Sequence, residues 1–186
     1  MKLFQSKDAD LIPDARQFAT AAHTGQMRRF TDEAYIEHPR RVAERVEGLV
    51  SDEGVAAAWL HDVIEDTDVG PFDVNMCFGF KVYRLVCELT HTFPQKGLNR
   101  AHRQAIDRAR FSFLKGEVGH TVHTIKVADC LDNIPTIREY DPQFWKVMHR
   151  ELCELQKVLV LAETRIAEEF DHVLHDYSSL TLQKLT

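Results

Sequence analysis

Residues that form turns are scarce in this chain. Only eight of its 186 residues are glycine and six are proline, whereas glycine alone makes up about 7% of an average soluble protein. No segment alternates polar and apolar side chains over the length of a strand, as a half-buried strand would. The hydrophobic fraction of 44% and the charged fraction of 28% exclude a disordered chain. The sequence therefore predicts an all-α globular protein.

Three further absences bear on compartment and partners. No apolar run approaches the 18 residues of a membrane span, and the first residues lack the apolar core of a signal peptide. The four cysteines show neither CxxC pairing nor the spacing of a zinc ribbon. Acidic residues outnumber basic ones by 29 to 23, giving a net charge of −6, which argues against nucleic-acid binding. We therefore expect a cytoplasmic protein with reduced thiols and no nucleic-acid or membrane partner.

Helix signals cover most of the chain, and its length predicts a single domain over residues 1–186. Prolines mark where several helices begin, Ser51 is a candidate N-cap, and Pro135 is expected to end or kink a helix. The predicted helices cover residues 13–24, 39–49, 51–66, 71–77, 79–91, 99–115, 120–134 and 142–175.

The last predicted helix is also the longest. Met148, Leu152, Leu155 and Leu159 recur at spacings of four and three residues, as on the apolar face of a helix. Such a face packs along the core of its own chain or forms the seam of a homodimer, and the pattern leaves both readings open.

Four ionisable residues follow an apolar run. His61 lies four residues before Glu65, and Asp62 lies four residues before Asp66, so each pair shares one face of a helix. A helix end that becomes polar as it enters a loop would look the same. Two other segments favour a metal site over that interpretation.

The two supporting segments contain His38 and Asp129. His38 directly precedes Pro39 at a predicted helix start, and Asp129 lies on an otherwise apolar helix face. A carboxylate at such a position costs several kcal/mol unless it is paired or bound to metal. Together with His61 and Asp62 they form a mixed nitrogen and oxygen ligand set, which suits Mn²⁺, Fe²⁺ or Zn²⁺ better than Ca²⁺.

This H…HD…D pattern resembles the signature of the HD superfamily of metal-dependent phosphohydrolases. The sequence around this pattern, over about residues 16–165, resembles the hydrolase domain of the RelA/SpoT-type family. The matching motifs are HTGQMR at 23–28, YIEHP at 35–39, HDVIEDT at 61–67, FGFKV at 78–82 and KVADCLDN at 126–133. The resemblance implies an HD-domain helical bundle. Since 186 residues leave no room for the synthetase domain of bifunctional members, it also implies a stand-alone alarmone hydrolase of the metazoan SpoT-like group.

The implied reaction removes the 3′-pyrophosphate of ppGpp or pppGpp, giving GDP or GTP and pyrophosphate. By resemblance, Mn²⁺ is the metal, and the catalytic acidic pair is Glu65 and Asp66. The implied metal ligands are His38, His61, Asp62 and Asp129. The implied substrate-binding residues are Arg28, Tyr35, Lys126, Asn133 and Thr136.

Two departures from the family pattern lie beside Asp129. Cys130 and Asp132 stand where the family has arginine and histidine, which removes one cation and adds one carboxylate. Neither change removes a predicted metal ligand, but both bear on whether the substrate carries guanine or adenine. Hydrolysis of (p)ppApp or of another 3′-phosphorylated nucleotide is therefore an alternative, and a non-catalytic alarmone-binding regulator is another.

Overall fold

The structure is a computed structural model, and it describes residues 11–90 and 98–183, with side chains to residue 176. Secondary structure in these ranges is helical apart from one isolated bridge between Met27 and Ala34, which confirms the all-α prediction. No helix there is long and apolar enough to cross a membrane. The helices are α1 (Leu11–Ala22), α2 (Glu37–Val46), α3 (Asp52–Leu60), α4 (Val63–Asp66), α5 (Pro71–Leu89), α6 (Arg100–Phe113), α7 (Gly116–Tyr140), α8 (Pro142–Gln156) and α9 (Thr164–Gln183).

The chain divides into two compact units, residues 1–94 and residues 95–186. In the first unit α3 contacts α1, α2 and α5. Every residue from Gly54 to Leu60 is buried, because this helix is apolar on all sides and can only lie inside a core. The element that leads into the His61–Asp62 pair is therefore the most enclosed helix of its unit.

Ser51 begins α3 as predicted, since its hydroxyl accepts a hydrogen bond from the N–H of Gly54. The helix predicted to run on to Asp66 is wrong, however, because α3 ends at Leu60 and α4 begins at Val63. At the break, His61 Nδ1 lies 2.8 Å from the carbonyl oxygen of Ala58. That carbonyl is the one to which the N–H of Asp62 would donate in a continuous helix. The imidazole thus competes with the backbone at this point.

Helix α5 is divided at Gly79, as the two separate helices predicted for residues 71–77 and 79–91 require. Gly79 has φ 77° and ψ 173°, a conformation that residues with a Cβ rarely adopt. The helix begins with Pro71, and the carboxylate of Asp73 accepts the N–H of Gly70 ahead of it. The predicted end of this segment at His91 lies outside the described residues.

In the second unit, α7 contacts both α8 and α9. Helix α7 does not end at Pro135, as one of the two predicted outcomes required, because it continues to Tyr140. Proline deprives the carbonyl of Leu131 of its usual backbone donor. Ile134 is nevertheless buried with 2% exposure, so apolar burial offsets the missing hydrogen bond.

The continuous helix predicted from Pro142 to His175 is also wrong. It is interrupted between Gln156 and Thr164, where side chains of α7 supply hydrogen bonds that a helix would otherwise make internally. His123 Nδ1 accepts the N–H of Leu161 at 3.2 Å, and Thr124 Oγ1 accepts the N–H of Glu163 at 3.0 Å. Tertiary hydrogen bonds therefore stabilise the break.

Candidate metal centre and active site

Two buried histidines and one aspartate converge in the first unit. His38 lies in the first turn of α2, and His61 and Asp62 occupy the break between α3 and α4. His61 Nε2 is 3.2 Å from His38 Nε2 and 3.1 Å from Asp62 Oδ2, and Asp62 Oδ2 is 3.5 Å from His38 Nε2. His38 and His61 are 2% and 5% exposed. Three residues predicted as metal ligands thus present donor atoms to one point.

The donor chemistry of this cluster fits a cation. Because His61 Nδ1 faces the Ala58 carbonyl, we assign the ring proton to Nδ1, which leaves a lone pair on Nε2. That lone pair faces Asp62 Oδ2, and two electron-rich atoms at this separation repel each other unless a positive charge lies beside them. A backbone carbonyl that orients the far nitrogen is the usual outer partner of a metal-bound histidine. The cluster can therefore hold a divalent metal ion.

Tyr35 connects the cluster to the acidic pair. Its hydroxyl lies 2.7 Å from Asp62 Oδ2 and 2.7 Å from Asp66 Oδ2. Burial first, then the charge and hydrogen bond of Asp62, raises the pKa of Tyr35 well above its usual value, so the phenol keeps its proton at neutral pH. Tyr35, predicted as a substrate contact, here lies between two carboxyl groups and can donate its single proton to either one.

Glu65 and Asp66 lie on the single turn of α4 that follows the cluster. The N–H groups of both residues donate to the carbonyl of Asp62, at 3.1 Å and 2.9 Å. Desolvation is the largest cause of a raised pKa at Asp66, and the negative charges of Asp62 and Glu65 add to it, against a lowering hydrogen bond from Tyr35. Both side chains are exposed at the surface, where a substrate and water can reach them.

Gln26 belongs to this site although its residue type alone gave no such indication. Its Nε2 donates to the backbone carbonyl of Asp66 at 2.7 Å, and its Oε1 lies 2.8 Å from His23 Nδ1. His23 is 2% exposed, and its ring centroid is 4.8 Å from that of Tyr35. The HTGQ motif at residues 23–26 is the sequence signal that marks Gln26 itself, although it does not mark the carbonyl to which Gln26 donates.

Arg28 lies in the same loop, between the HTGQ motif and α2. Its N–H donates to the carbonyl of Glu33 at 2.9 Å, and its side chain is partly exposed. This placement leaves the predicted contact with a purine base as a prediction.

In the second unit, the carboxylate of Asp129 is held on both sides. Lys126 Nζ donates to Asp129 Oδ2 and Asn133 Nδ2 donates to Oδ1, each at 2.6 Å. Asp129 is 8% exposed, and these two contacts offset the cost of burying its charge. Thr136 lies on the same helix two turns further on, since α7 continues past Pro135. Lys126 and Asn133, predicted to bind substrate, both contact the predicted ligand itself.

Cys130, one of the two departures from the family pattern, lies in the core. It is 4% exposed, and burial raises the pKa of its thiol to about 12. The thiol is therefore neutral at physiological pH. Asp132, the second departure, is partly exposed on α7, so only this substitution places a new charge where solvent reaches it.

The chain matches the family described as HD domain over residues 15–159. It is 36% identical over 141 residues to the guanosine-3′,5′-bis(diphosphate) 3′-pyrophosphohydrolase MESH1 of Drosophila melanogaster, covering 73% of this chain and 74% of that protein. This chain belongs to the HD-domain family, in the metazoan SpoT-like group. The resemblance inferred from the motifs is thereby confirmed.

Bacterial relatives named for the same activity are longer. The guanosine-3′,5′-bis(diphosphate) 3′-pyrophosphohydrolase of Aquifex aeolicus is 32% identical over 148 residues, which are 79% of this chain and 20% of that protein. The chain thus spans about a fifth of the length of that relative. A solved structure described as a metazoan ortholog of SpoT that hydrolyses ppGpp covers 92% of this chain and 98% of its own, with a TM-score of 0.78 and 24% identity. At that identity the likeness shows the fold.

Proposed function

We propose that this chain is a Mn²⁺-dependent hydrolase that removes the 3′-pyrophosphate of ppGpp or pppGpp, giving GDP or GTP and pyrophosphate. The observation that carries the proposal is the convergence of His38, His61 and Asp62, with Tyr35 linking this cluster to Asp66. A relative at 36% identity is named for this activity. A chance cluster of polar residues would not place a catalytic acid beside a ligand set.

The proposed metal ligands are His38, His61, Asp62 and Asp129. The first three are supported by their mutual distances, and Asp129 is supported by the family resemblance. The imidazole and carboxylate set suits Mn²⁺ but also other first-row metals. When bound, such an ion polarises a phosphoryl oxygen and makes a nearby water more acidic.

Glu65 and Asp66 are proposed to move the protons of the reaction. One carboxylate accepts a proton from the attacking water while the other donates to the leaving 3′-oxygen, and roles of this kind contribute about 10²–10⁴ in rate. The raised pKa of Asp66, caused first by desolvation, favours it as the proton donor, since the carboxyl group that keeps its proton to higher pH is the one that has a proton to donate. Glu65 would then be the base.

Substrate recognition is proposed to involve Arg28, Lys126, Asn133 and Thr136. A planar guanidinium such as that of Arg28 can stack on a purine. Lys126 and Asn133 already hold Asp129, so we propose that they act on substrate while keeping this ligand in place. Thr136 shares their helix face.

The setting of the activity is also part of the proposal. The family match spans both compact units, which supports a single hydrolase domain over residues 1–186. A cytoplasmic location follows from the nucleotide substrate and from the reduced thiols expected of the sequence. Homodimer formation stays a prediction.

A substrate panel tests the proposal. Purified protein with Mn²⁺ would be given ppGpp, pppGpp, ppApp and a 3′-phosphorylated dinucleotide, and the release of pyrophosphate or phosphate would be measured. We expect pyrophosphate and GDP or GTP from the guanosine substrates. Faster turnover of ppApp or of a 3′-phosphate would assign the alternative substrate class, and binding without any product would favour the non-catalytic regulator.

A further inference from the structure

The loop ahead of α2 contacts Asp66 at two separate points. Gln26 Nε2 donates to the Asp66 backbone carbonyl at 2.7 Å, and the Tyr35 hydroxyl lies 2.7 Å from Asp66 Oδ2. Gln26 and Tyr35 are also joined to each other, because the N–H of Tyr35 donates to the carbonyl of Gln26 at 2.9 Å. Asp66 is therefore fixed in both its main chain and its side chain by one connected pair of residues.

Asp66 needs such support because α4 has only four residues. A single helical turn makes too few backbone hydrogen bonds to stay formed on its own. Asp66 is its last residue, and Thr67 after it is extended. Without outside contacts, the position of the Asp66 carboxylate relative to the cluster would vary from molecule to molecule.

His23 contacts both Gln26 and Tyr35. Its Nδ1 lies 2.8 Å from Gln26 Oε1, and its ring lies against that of Tyr35. Its Nε2 is buried and has no hydrogen-bond partner among the described residues. The His23 ring contacts both residues that reach Asp66.

We propose that Gln26 and Tyr35, supported by His23, act as a positioning brace that holds Asp66 at a fixed distance from the metal ligand Asp62. In this assignment Tyr35 acts through the two aspartates rather than by touching the substrate. The inference rests on the proposed function, since it assigns Asp66 a catalytic role. Outer contacts of this kind change metal affinity or activity by about 10- to 100-fold when they are removed.

Two variants test the brace. Tyr35→Phe removes the hydroxyl and keeps the ring that packs on His23. Gln26→Glu keeps the size of the side chain but removes the N–H that donates to the Asp66 carbonyl. We expect kcat at saturating Mn²⁺ to fall by about 10-fold or more in each, with KM for ppGpp within about twofold of wild type. Titration of the metal-free protein with Mn²⁺ should show weaker binding for Tyr35→Phe and unchanged binding for Gln26→Glu, which leaves Asp62 untouched.

The matched control is Tyr83→Phe, which removes a phenol hydroxyl whose hydrogen bond is to Cys87. Its kcat, KM and Mn²⁺ affinity should equal those of wild type. A large rise in KM with kcat retained in Tyr35→Phe would make Tyr35 a substrate contact and overturn the brace, as would unchanged kinetics in both variants. If Tyr35→Phe fails to fold, the KM and kcat of Gln26→Glu decide.

Failure of the proposed function would look different. Wild-type protein would then turn over no nucleotide, and the Mn²⁺ titrations would still test the brace. Equal Mn²⁺ affinity in wild type, Tyr35→Phe and Tyr83→Phe would overturn it in that case.

Discussion

At the residue scale, the site joins two kinds of carboxylate within five residues of chain. Asp62 contacts both histidine Nε2 atoms, whereas Asp66 contacts neither and reaches the cluster through the Tyr35 hydroxyl. Metal binding requires a deprotonated ligand, and acid catalysis requires a proton that can be given away. The one-turn separation allows neighbouring carboxylates to serve both needs.

This division of roles predicts the effect of removing the acidic pair. Glu65→Gln and Asp66→Asn should each bind Mn²⁺ with about the affinity of wild type, because neither side chain belongs to the proposed ligand set. Turnover of ppGpp should fall by about 10²–10⁴, the usual contribution of a positioned acid or base. Calorimetric titration with Mn²⁺ and initial rates of pyrophosphate release check the two parts. Wild-type rates in either variant would contradict the catalytic assignment.

Residue types and spacing predicted the ligand cluster from sequence, but they could not predict its supports. The pairs His61–Glu65 and Asp62–Asp66 drew attention because each would share one face of a continuous helix, although the structure breaks that helix between α3 and α4. The bond from Gln26 to the Asp66 carbonyl spans 40 residues and ends on a backbone atom. Any residue has such a carbonyl, so no side-chain pattern could mark the partner.

At the scale of the element, breaks in helices occur where the sequence holds no breaker. Residues 157–163 contain neither glycine nor proline, yet they separate α8 from α9 because α7 side chains bind their backbone. Pro135 is a breaker by type, yet α7 runs past it. Helix starts were predicted better, since Ser51 caps α3 and α8 begins at the predicted Pro142. A cap involves residues a few positions apart and can be predicted from a short stretch of sequence. These interruptions depend on contacts between residues far apart in the sequence.

The break between α8 and α9 makes the protein sensitive to acid through His123. Its Nε2 lies 3.0 Å from the Phe111 carbonyl while its Nδ1 accepts the N–H of Leu161, so only the neutral ring satisfies both contacts. Burial is the main cause that lowers the pKa of His123 below its usual value, and the positive charges of Lys115 and His120 add to it. The unfolded chain therefore binds this proton at a higher pH than the folded chain, and stability is lost as pH falls below about 6.5.

Urea unfolding at pH 7.5 and pH 5.5 checks this prediction. The His123 contribution to the loss in unfolding free energy over this range is at most about 1.4 kcal/mol, the value of one pKa unit. His123→Gln has no titrating ring at this position. Its loss in unfolding free energy between pH 7.5 and pH 5.5 should therefore be smaller than that of wild type by the His123 contribution, even if its stability at pH 7.5 is lower. His175→Gln, which changes an exposed histidine of α9, should lose as much as wild type. An equal loss in wild type and His123→Gln would contradict the prediction.

At the scale of the whole molecule, the net charge of −6 is compatible with an anionic substrate only if positive charge is concentrated at the site. The proposed ligand Asp62, together with Glu65 and Asp66, puts three carboxylates within five residues of chain. A divalent cation at the cluster would offset part of that charge and supply attraction for a pyrophosphate group. The acidic composition thus predicts that substrate binding, as well as turnover, depends on the metal.

The same argument predicts that Mn²⁺ stabilises the whole fold. A ligand present at 100 times its Kd and bound only by the folded state adds about 2.7 kcal/mol, which for 186 residues raises Tm by about 5–10 °C. We expect this shift for wild type on adding Mn²⁺ to metal-free protein, and its reversal together with loss of activity in excess EDTA. Asp129→Asn removes a proposed ligand charge while keeping a side chain of the same shape, so its shift should be much smaller. Asp68→Asn, which neutralises an exposed carboxylate, should show the wild-type shift. Equal shifts in all three proteins would exclude Asp129 from the ligand set, and hydrolysis that persists in EDTA would exclude the metal from the reaction.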